Sequence, residues 1–268
     1  MVTGEEGGCL LRVDRVAKSY GGLKVLNDVT LTVPQGSITG VIGPNGSGKS
    51  TLFDVITRYT ACDSGQLTFN GQSITGLAPH QVSRRGLVRT FQLTRVFPAL
   101  TVAENLLVFA GRPSGRGASR GGRHGEAAAG NPAPADPADA GLPQGEDQVR
   151  ELLEFTGLAR LATAEAATLS YGQLKLLEIA QVLMLRPKML MLDEPMAGIN
   201  PGLADEIAAH LLALRDRGLT LLLVEHNIPI IQRLCDTVVV LAAGQVMARG
   251  KPGDVLADQD VREAFLGD

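Results

Sequence analysis

From Leu10 onward apolar and polar side chains alternate. Leu10 to Tyr20 and Lys24 to Val33 predict two β-strands, the second with Val25, Asn27, Val29, Leu31 and Val33 on one face. Gly21-Gly22 between them reads as a turn. Leu67 to Asn70, then Gly71 and Ser73-Ile74, predict a hairpin through its Asn-Gly pair. Between these lies Ile38 to Ile42, a short β-type run, followed by Leu52, Val55, Ile56 and Tyr59 at helical spacing. Gly86 to Gln92 reads as another strand. The segment from Thr94 to Leu107 turns mixed and then helical, with a T-x-x-E capping box at Thr101 and Glu104 ahead of Leu106, Leu107 and Phe109.

The second half is helical first, through Val149, Leu152, Leu153, Phe155 and Leu158. Ser170 and Gln173 form an S-x-x-Q box, and Leu174, Leu177, Ala180, Val182 and Met184 continue a helix that Pro187 stops. Met189 to Leu192 is wholly apolar, the pattern of a strand buried on both faces of a parallel sheet, and Leu219 to Val224 repeats it. Thr237 to Leu241 and Gly244 to Ala248 predict a final hairpin. The expectation is an α/β protein with antiparallel strands near its start and a parallel sheet behind them.

Composition narrows the function classes. The 268 residues allow one large domain or two small ones. A formal net charge of −3 and 4% aromatics argue against nucleic-acid binding, which favours basic stripes and stacking rings. Cys9, Cys62 and Cys235 are too scattered for a metal site and odd in number, so reduced thiols are expected. Met1 to Gly8 has no apolar signal-peptide region, and no run approaches the ~18 apolar residues of a membrane span. A soluble, cytoplasmic chain is expected. Gly111 to Gly145 breaks the pattern with nine Gly, five Pro and eight Ala, a composition expected to stay disordered. Its Arg112, Arg116, Arg120, Arg123 and His124 could form a basic arm for anionic lipid; a solvated linker is the favoured reading.

The chemistry centres on Gly43 to Ser50, G-P-N-G-S-G-K-S, which fits the phosphate-loop pattern G-x-x-x-x-G-K-[ST] at every fixed position. A strand precedes it and a helix follows, so backbone N–H groups and the helix dipole converge on one point. The loop runs through Gly43, Pro44, Asn45, Gly46, Ser47, Gly48, Lys49, Ser50 and Thr51. Lys49 would reach the β- and γ-phosphates of ATP, and the Ser50 hydroxyl would ligate Mg²⁺. Asp193 and Glu194 end the apolar Met189 run, where α/β sheets carry their sites. Asp193 is placed to hold Mg²⁺ through water and Glu194 to act as base toward the attacking water. His226 ends the next strand. Ser170 opens a second helix mouth, another possible anion cradle. Gln92 at its strand end and Tyr20 beside a turn would each be ordinary structural residues on their own.

In this order the phosphate loop, Gln92, L-S-Y-G-Q at Leu169, M-L-M-L-D-E and His226 make the chain resemble an ATP-binding-cassette (ABC) ATPase over roughly residues 10 to 110 and 146 to 268. The resemblance implies a P-loop ABC ATPase core with a parallel sheet, an N-terminal antiparallel β-subdomain and an inserted helical subdomain. The divisions are 1–92, 93–168 with the insertion 111–145, and 169–268. It implies that Tyr20 stacks on adenine and that Gln92 touches Mg²⁺ and the attacking water. Ser170, Gly172 and Gln173 would close on the γ-phosphate held by a second subunit, Asn200 would sit across that dimer, and His226 would contact the γ-phosphate.

G-L-V-R-T-F-Q at Gly86, F-P-A-L-T-V-A-E-N-L at Phe97, D-E-P-M-A-G-I-N-P at Asp193 and the ending V-R-E-A-F-L-G-D resemble the subfamily energising branched-chain amino-acid import. That implies transmembrane permease subunits, an identical or different second ATP-binding subunit, a solute-binding protein engaged indirectly, and a peripheral position on the cytoplasmic face of the cell membrane. Tyr171, Asn200 and Gln181 depart from the commonest cassette pattern, and the insertion has no clear counterpart. Two alternatives stay open: a cassette for another transporter, such as urea import or lipopolysaccharide export, and a soluble ABC ATPase acting on ribosomes or nucleic acid. The single cassette without heptads disfavours the second.

Overall fold

A computed structural model describes residues 8–90, 96–110 and 145–266. Gln92 and the insertion as far as residue 144 lie outside the described residues. The chain opens with β1 (Cys9–Tyr20) and β2 (Leu23–Pro34), then β3 (Ile38–Ile42) and α1 (Lys49–Ile56). Next come β4 (Ser64–Phe69), β5 (Gln72–Ser73), α2 (Pro79–Arg84) and β6 (Leu87–Arg89). Among the described residues the α-helices α3 (Val102–Leu107), α4 (Glu146–Phe155) and α5 (Tyr171–Leu183) follow. The rest alternates as β7 (Met189–Asp193), α6 (Pro201–Asp216), β8 (Thr220–Val224), α7 (Ile228–Leu234), β9 (Thr237–Ala242) and β10 (Gln245–Gly250), ending in α8 (Pro252–Ala257) and α9 (Gln259–Leu266).

Two sheets result. An antiparallel sheet runs in the order β2-β1-β4-β5, and a second runs β10-β9-β3-β8-β7-β6, parallel except for its β9/β10 hairpin. The expected α/β architecture is thus present. The apolar strands are buried on both faces because they divide two cores. Met189, Met191, Leu222, Val224, Val239 and Leu241 join the core shared with α1 and the antiparallel sheet. Their neighbours Leu190, Leu192, Leu221, Leu223, Val238 and Val240 point the other way, into the core under α3 to α8. Period-two geometry makes one run of apolar residues serve both.

Some details differ from the sequence pattern. In β2 the inward residue is Leu26, with Val25 and Asn27 only half-buried. The β1/β2 register slips between Val16↔Val29 and Lys18↔Leu26, where Asp28 takes a left-handed φ of 60°. One extra residue at such a bulge flips the faces beyond it. Helix α1 ends at Ile56, and Tyr59 is 57% exposed rather than on its buried face. Helix α5 ends at Leu183, four residues before Pro187, and is buried around most of its girth. Its polar Lys175, Glu178 and Gln181 are satisfied locally: Lys175 Nζ bonds Glu178, and Gln181 Nε2 donates to Asn105 Oδ1 on α3. The Asn70-Gly71 hairpin and both capping boxes form as expected. Cys235 is buried, its thiol pushed up to about 12 chiefly by burial, while Cys9 and Cys62 are half-buried. Among the described residues no helix is long and apolar enough to cross a membrane.

Candidate functional site

The phosphate loop leaves β3 and turns straight into α1. Gly43, Gly46 and Gly48 have φ of 153°, 78° and 102°. A Cβ at Gly43 would stand 2.0 Å from the Leu241 carbonyl and one at Gly48 2.8 Å from the Val25 carbonyl, so glycine is required at both. Lys49 folds back and donates to the carbonyls of Gly43 (2.8 Å) and Pro44 (2.9 Å). Burial lowers its pKa, opposed by the nearby Glu194 and Asp193 carboxylates. The Ser47 hydroxyl is buried without a partner, an orphaned donor at the mouth of α1. This cradle fits a polyphosphate anion.

Asp193 closes β7 and is 8% exposed. Its Oδ2 accepts from Arg89 Nη2 at 2.8 Å, while Arg89 Nη1 bonds Asp54 on α1. The guanidinium carbon lies 5.5 Å from the Phe53 ring centre. One arginine at the end of β6 therefore ties the phosphate-loop helix to the aspartate of β7. Nothing local in the sequence pairs Arg89 of G-L-V-R-T-F-Q with Asp54 or Asp193, which lie 35 and 104 residues away. Among the described residues no group of three or more His, Cys, Asp or Glu could hold a metal. An Mg²⁺ ion needs no such cage: a hydroxyl and one carboxylate, with substrate phosphates and water, suit it. Ser50, exposed at the start of α1, and Asp193 form a donor set of that kind.

Glu194 follows immediately, with a φ of 47°. A non-glycine residue held there costs on the order of 1–3 kcal/mol and persists only when its surroundings impose it. Its N–H donates to the Val224 carbonyl at 3.0 Å. Its Oε1 lies 3.8 Å from Nδ1 of His226, whose side chain is 66% exposed. The structure therefore brings Lys49, Asp193, Glu194 and His226 to the ends of β3, β7 and β8. Between His226 and β8 sits Glu225, 1% exposed, its pKa raised by burial against three backbone N–H bonds. The sequence showed Glu225 as a strand-end neighbour of His226; only the fold shows that it is buried.

The second helix mouth stands apart. Ser170 caps α5 and exchanges hydrogen bonds with Gln173, whose Oε1 accepts from Ser170 N at 2.9 Å. With Tyr171, Gly172, Gly198 and Asn200 these residues line an open cleft of about 630 Å³, and no phosphate-loop residue lines it. A Cβ at Gly172 would meet Leu203 at 2.4 Å, so α5 and α6 touch there. Asn200 caps α6 through its Oδ1, which accepts from Leu203 N at 3.0 Å. Tyr20 ends β1 half-exposed, with Lys18 Nζ 5.4 Å from its ring centre.

Comparison with known proteins agrees with this geometry. The family model described as ABC transporter matches residues 26–197. A probable branched-chain amino acid transport ATP-binding protein of Archaeoglobus fulgidus is 39% identical over 265 residues, covering 96% of this chain and 95% of the relative. A high-affinity branched-chain amino acid transport ATP-binding protein of Pseudomonas aeruginosa is 35% identical, covering 97% and 98%. The crystal structure of an ABC transporter cassette in its ADP conformation superposes with a TM-score of 0.80 at 35% identity, covering 98% of this chain and all of that one.

Proposed function

The chain belongs to the ABC transporter family, and from that premise we propose that it is the ATP-hydrolysing subunit of a branched-chain amino-acid importer. The observation that carries the reading is the convergence of Lys49, Asp193, Glu194 and His226 beside a glycine-built anion cradle. The names of relatives at 35–39% identity supply the solute class.

In this reading the N–H groups from Gly46 to Thr51 and the Lys49 ammonium hold the β- and γ-phosphates of ATP. Ser50 and Asp193 hold Mg²⁺, with Gln92 as a further ligand; when bound, the ion offsets phosphate charge. Glu194 accepts the proton of the attacking water. His226, 3.8 Å from Glu194, donates to the γ-phosphate. Tyr20 offers its exposed ring to adenine. Ser170, Gly172 and Gln173 complete the site of a second cassette, which explains why their cleft lies apart from the loop of the same chain. The cassette acts with permease subunits at the membrane; segment 93–168 forms a helical subdomain between the two core parts, 1–92 and 169–268.

Reconstitution tests the solute class. A membrane complex captured through this chain and placed in proteoliposomes with its solute-binding protein should accumulate leucine, isoleucine or valine when ATP is supplied. Accumulation of urea, or ATP-driven extraction of lipopolysaccharide, with none of the amino acids taken up, would overturn the branched-chain assignment.

A further inference from the structure

We propose that Glu225 is a positioning residue for hydrolysis, holding the turn that carries Glu194 and the turn that carries His226 in one fixed relation. The proposal rests on the reading of Glu194 as the base. Its foundation is a hydrogen-bond pattern. Glu225 Oε1 accepts from the N–H of Met196 at 2.9 Å, two residues past Glu194. Glu225 Oε2 accepts from the N–H of His226 at 3.2 Å, and the N–H of Asn227 bonds the same carboxylate. One buried side chain thus gathers donors from the end of β7 and from the end of β8.

That arrangement explains two features together. Glu194 sits in the left-handed region, a conformation that a non-glycine residue keeps only under constraint. Its own N–H is held by Val224, and the far side of the turn is held by Glu225 through Met196. The second feature is the 3.8 Å approach of Glu194 Oε1 to His226 Nδ1. His226 is largely exposed, so packing does not fix it; the bond from its own N–H to Glu225 anchors its backbone. A carboxylate suits the task because each oxygen can accept several bonds. An amide of the same shape would turn its NH₂ toward one of the donors. A solvated carboxylate would be the cheaper choice for a strand end, since burial disfavours the charge.

Glu225→Gln and Glu225→Asp, in the full chain assembled with its permease, test the proposal. Glutamine keeps the volume and loses one acceptor; aspartate keeps the charge and is too short to reach both turns. Single-turnover hydrolysis of Mg-ATP is expected to fall at least tenfold in both, with Mg-ATP affinity within threefold of the parent. Amide hydrogen exchange should quicken at Met196 and His226 and stay unchanged along β7 and β8. In a Glu194→Gln background the same Glu225→Gln change should cost less than threefold, because a residue acting through Glu194 has nothing left to position. Hydrolysis within twofold of the parent would overturn the proposal. So would an equal tenfold loss in both backgrounds, which marks a general structural role. A fully active Glu194→Gln would instead remove the base assignment, and the amide-exchange result would still judge whether Glu225 holds the two turns.

Discussion

At Glu194 the decisive change is one atom, oxygen to nitrogen. Glu194→Gln removes a proton acceptor while keeping shape. General-base catalysis is worth roughly 10²–10⁴ in rate, about 3–5 kcal/mol of barrier. Turnover should fall at least about a hundredfold while nucleotide affinity changes by less than about tenfold, roughly 1.4 kcal/mol. Lys49→Ala should do the reverse and weaken binding itself, since the ammonium sits in the cradle beside the loop carbonyls. Single-turnover hydrolysis and nucleotide binding on the same preparation measure both. Near-normal hydrolysis in Glu194→Gln would end its assignment as the base. Lys49, Ser50, Asp193 and Glu194 were legible as candidates because each sits at a fixed offset in a local motif, and His226 only as the end of an apolar strand. Glu225 was not, since its partner Met196, 29 residues away, becomes a neighbour only when β7 pairs with β8.

Between elements, Arg89 joins β6, α1 and β7 through Asp54 and Asp193. Breaking a buried ion pair by removing one partner costs up to about 3–5 kcal/mol. The Asp54 side chain is 38% exposed, so water screens that half of the clamp. Arg89→Met should therefore destabilise the protein by about 2–3 kcal/mol, read as a lowered urea midpoint. Arg89→Lys keeps a charge without the planar fork and should recover part of the loss. A midpoint unchanged in Arg89→Met would show that the clamp is screened away. The same scale shows where pattern reading succeeds. Asn70-Gly71 forms its hairpin because two adjacent left-handed residues, with φ of 48° and 71°, suffice for it. The bulge at Asp28 escapes the pattern because no glycine marks it, and the sequence spacing does not show that α5 is buried around most of its girth.

For the whole molecule, no phosphate-loop residue lines the Ser170 cleft, so under the proposed function a second cassette has to complete each ATP site. Light scattering on Glu194→Gln with Mg-ATP should show a monomer converting to a dimer, and Ser170→Ala should weaken that conversion. A monomer at saturating nucleotide, even with the permease present, would refute pairing through this cleft.

The sequence by itself determined most of the strands, the helices after the phosphate loop, Thr101, Glu146 and Ser170, the glycine loop and the paired acids after Met189, while the helices at Pro79, Pro201, Ile228, Pro252 and Gln259 went unread. The features it determined depend on side-chain period, backbone freedom or caps within a few residues. Tertiary structure decided which face of each strand met which core, because β3, β7, β8 and β9 are apolar on both sides and carry no signal of direction. It also decided that Arg89 reaches Asp54 and Asp193, and that Glu225 lies buried between two turns. Those contacts span 35 and 104 residues for Arg89 and 29 for Glu225. Only strand order in the sheet brings such distant positions within hydrogen-bond reach.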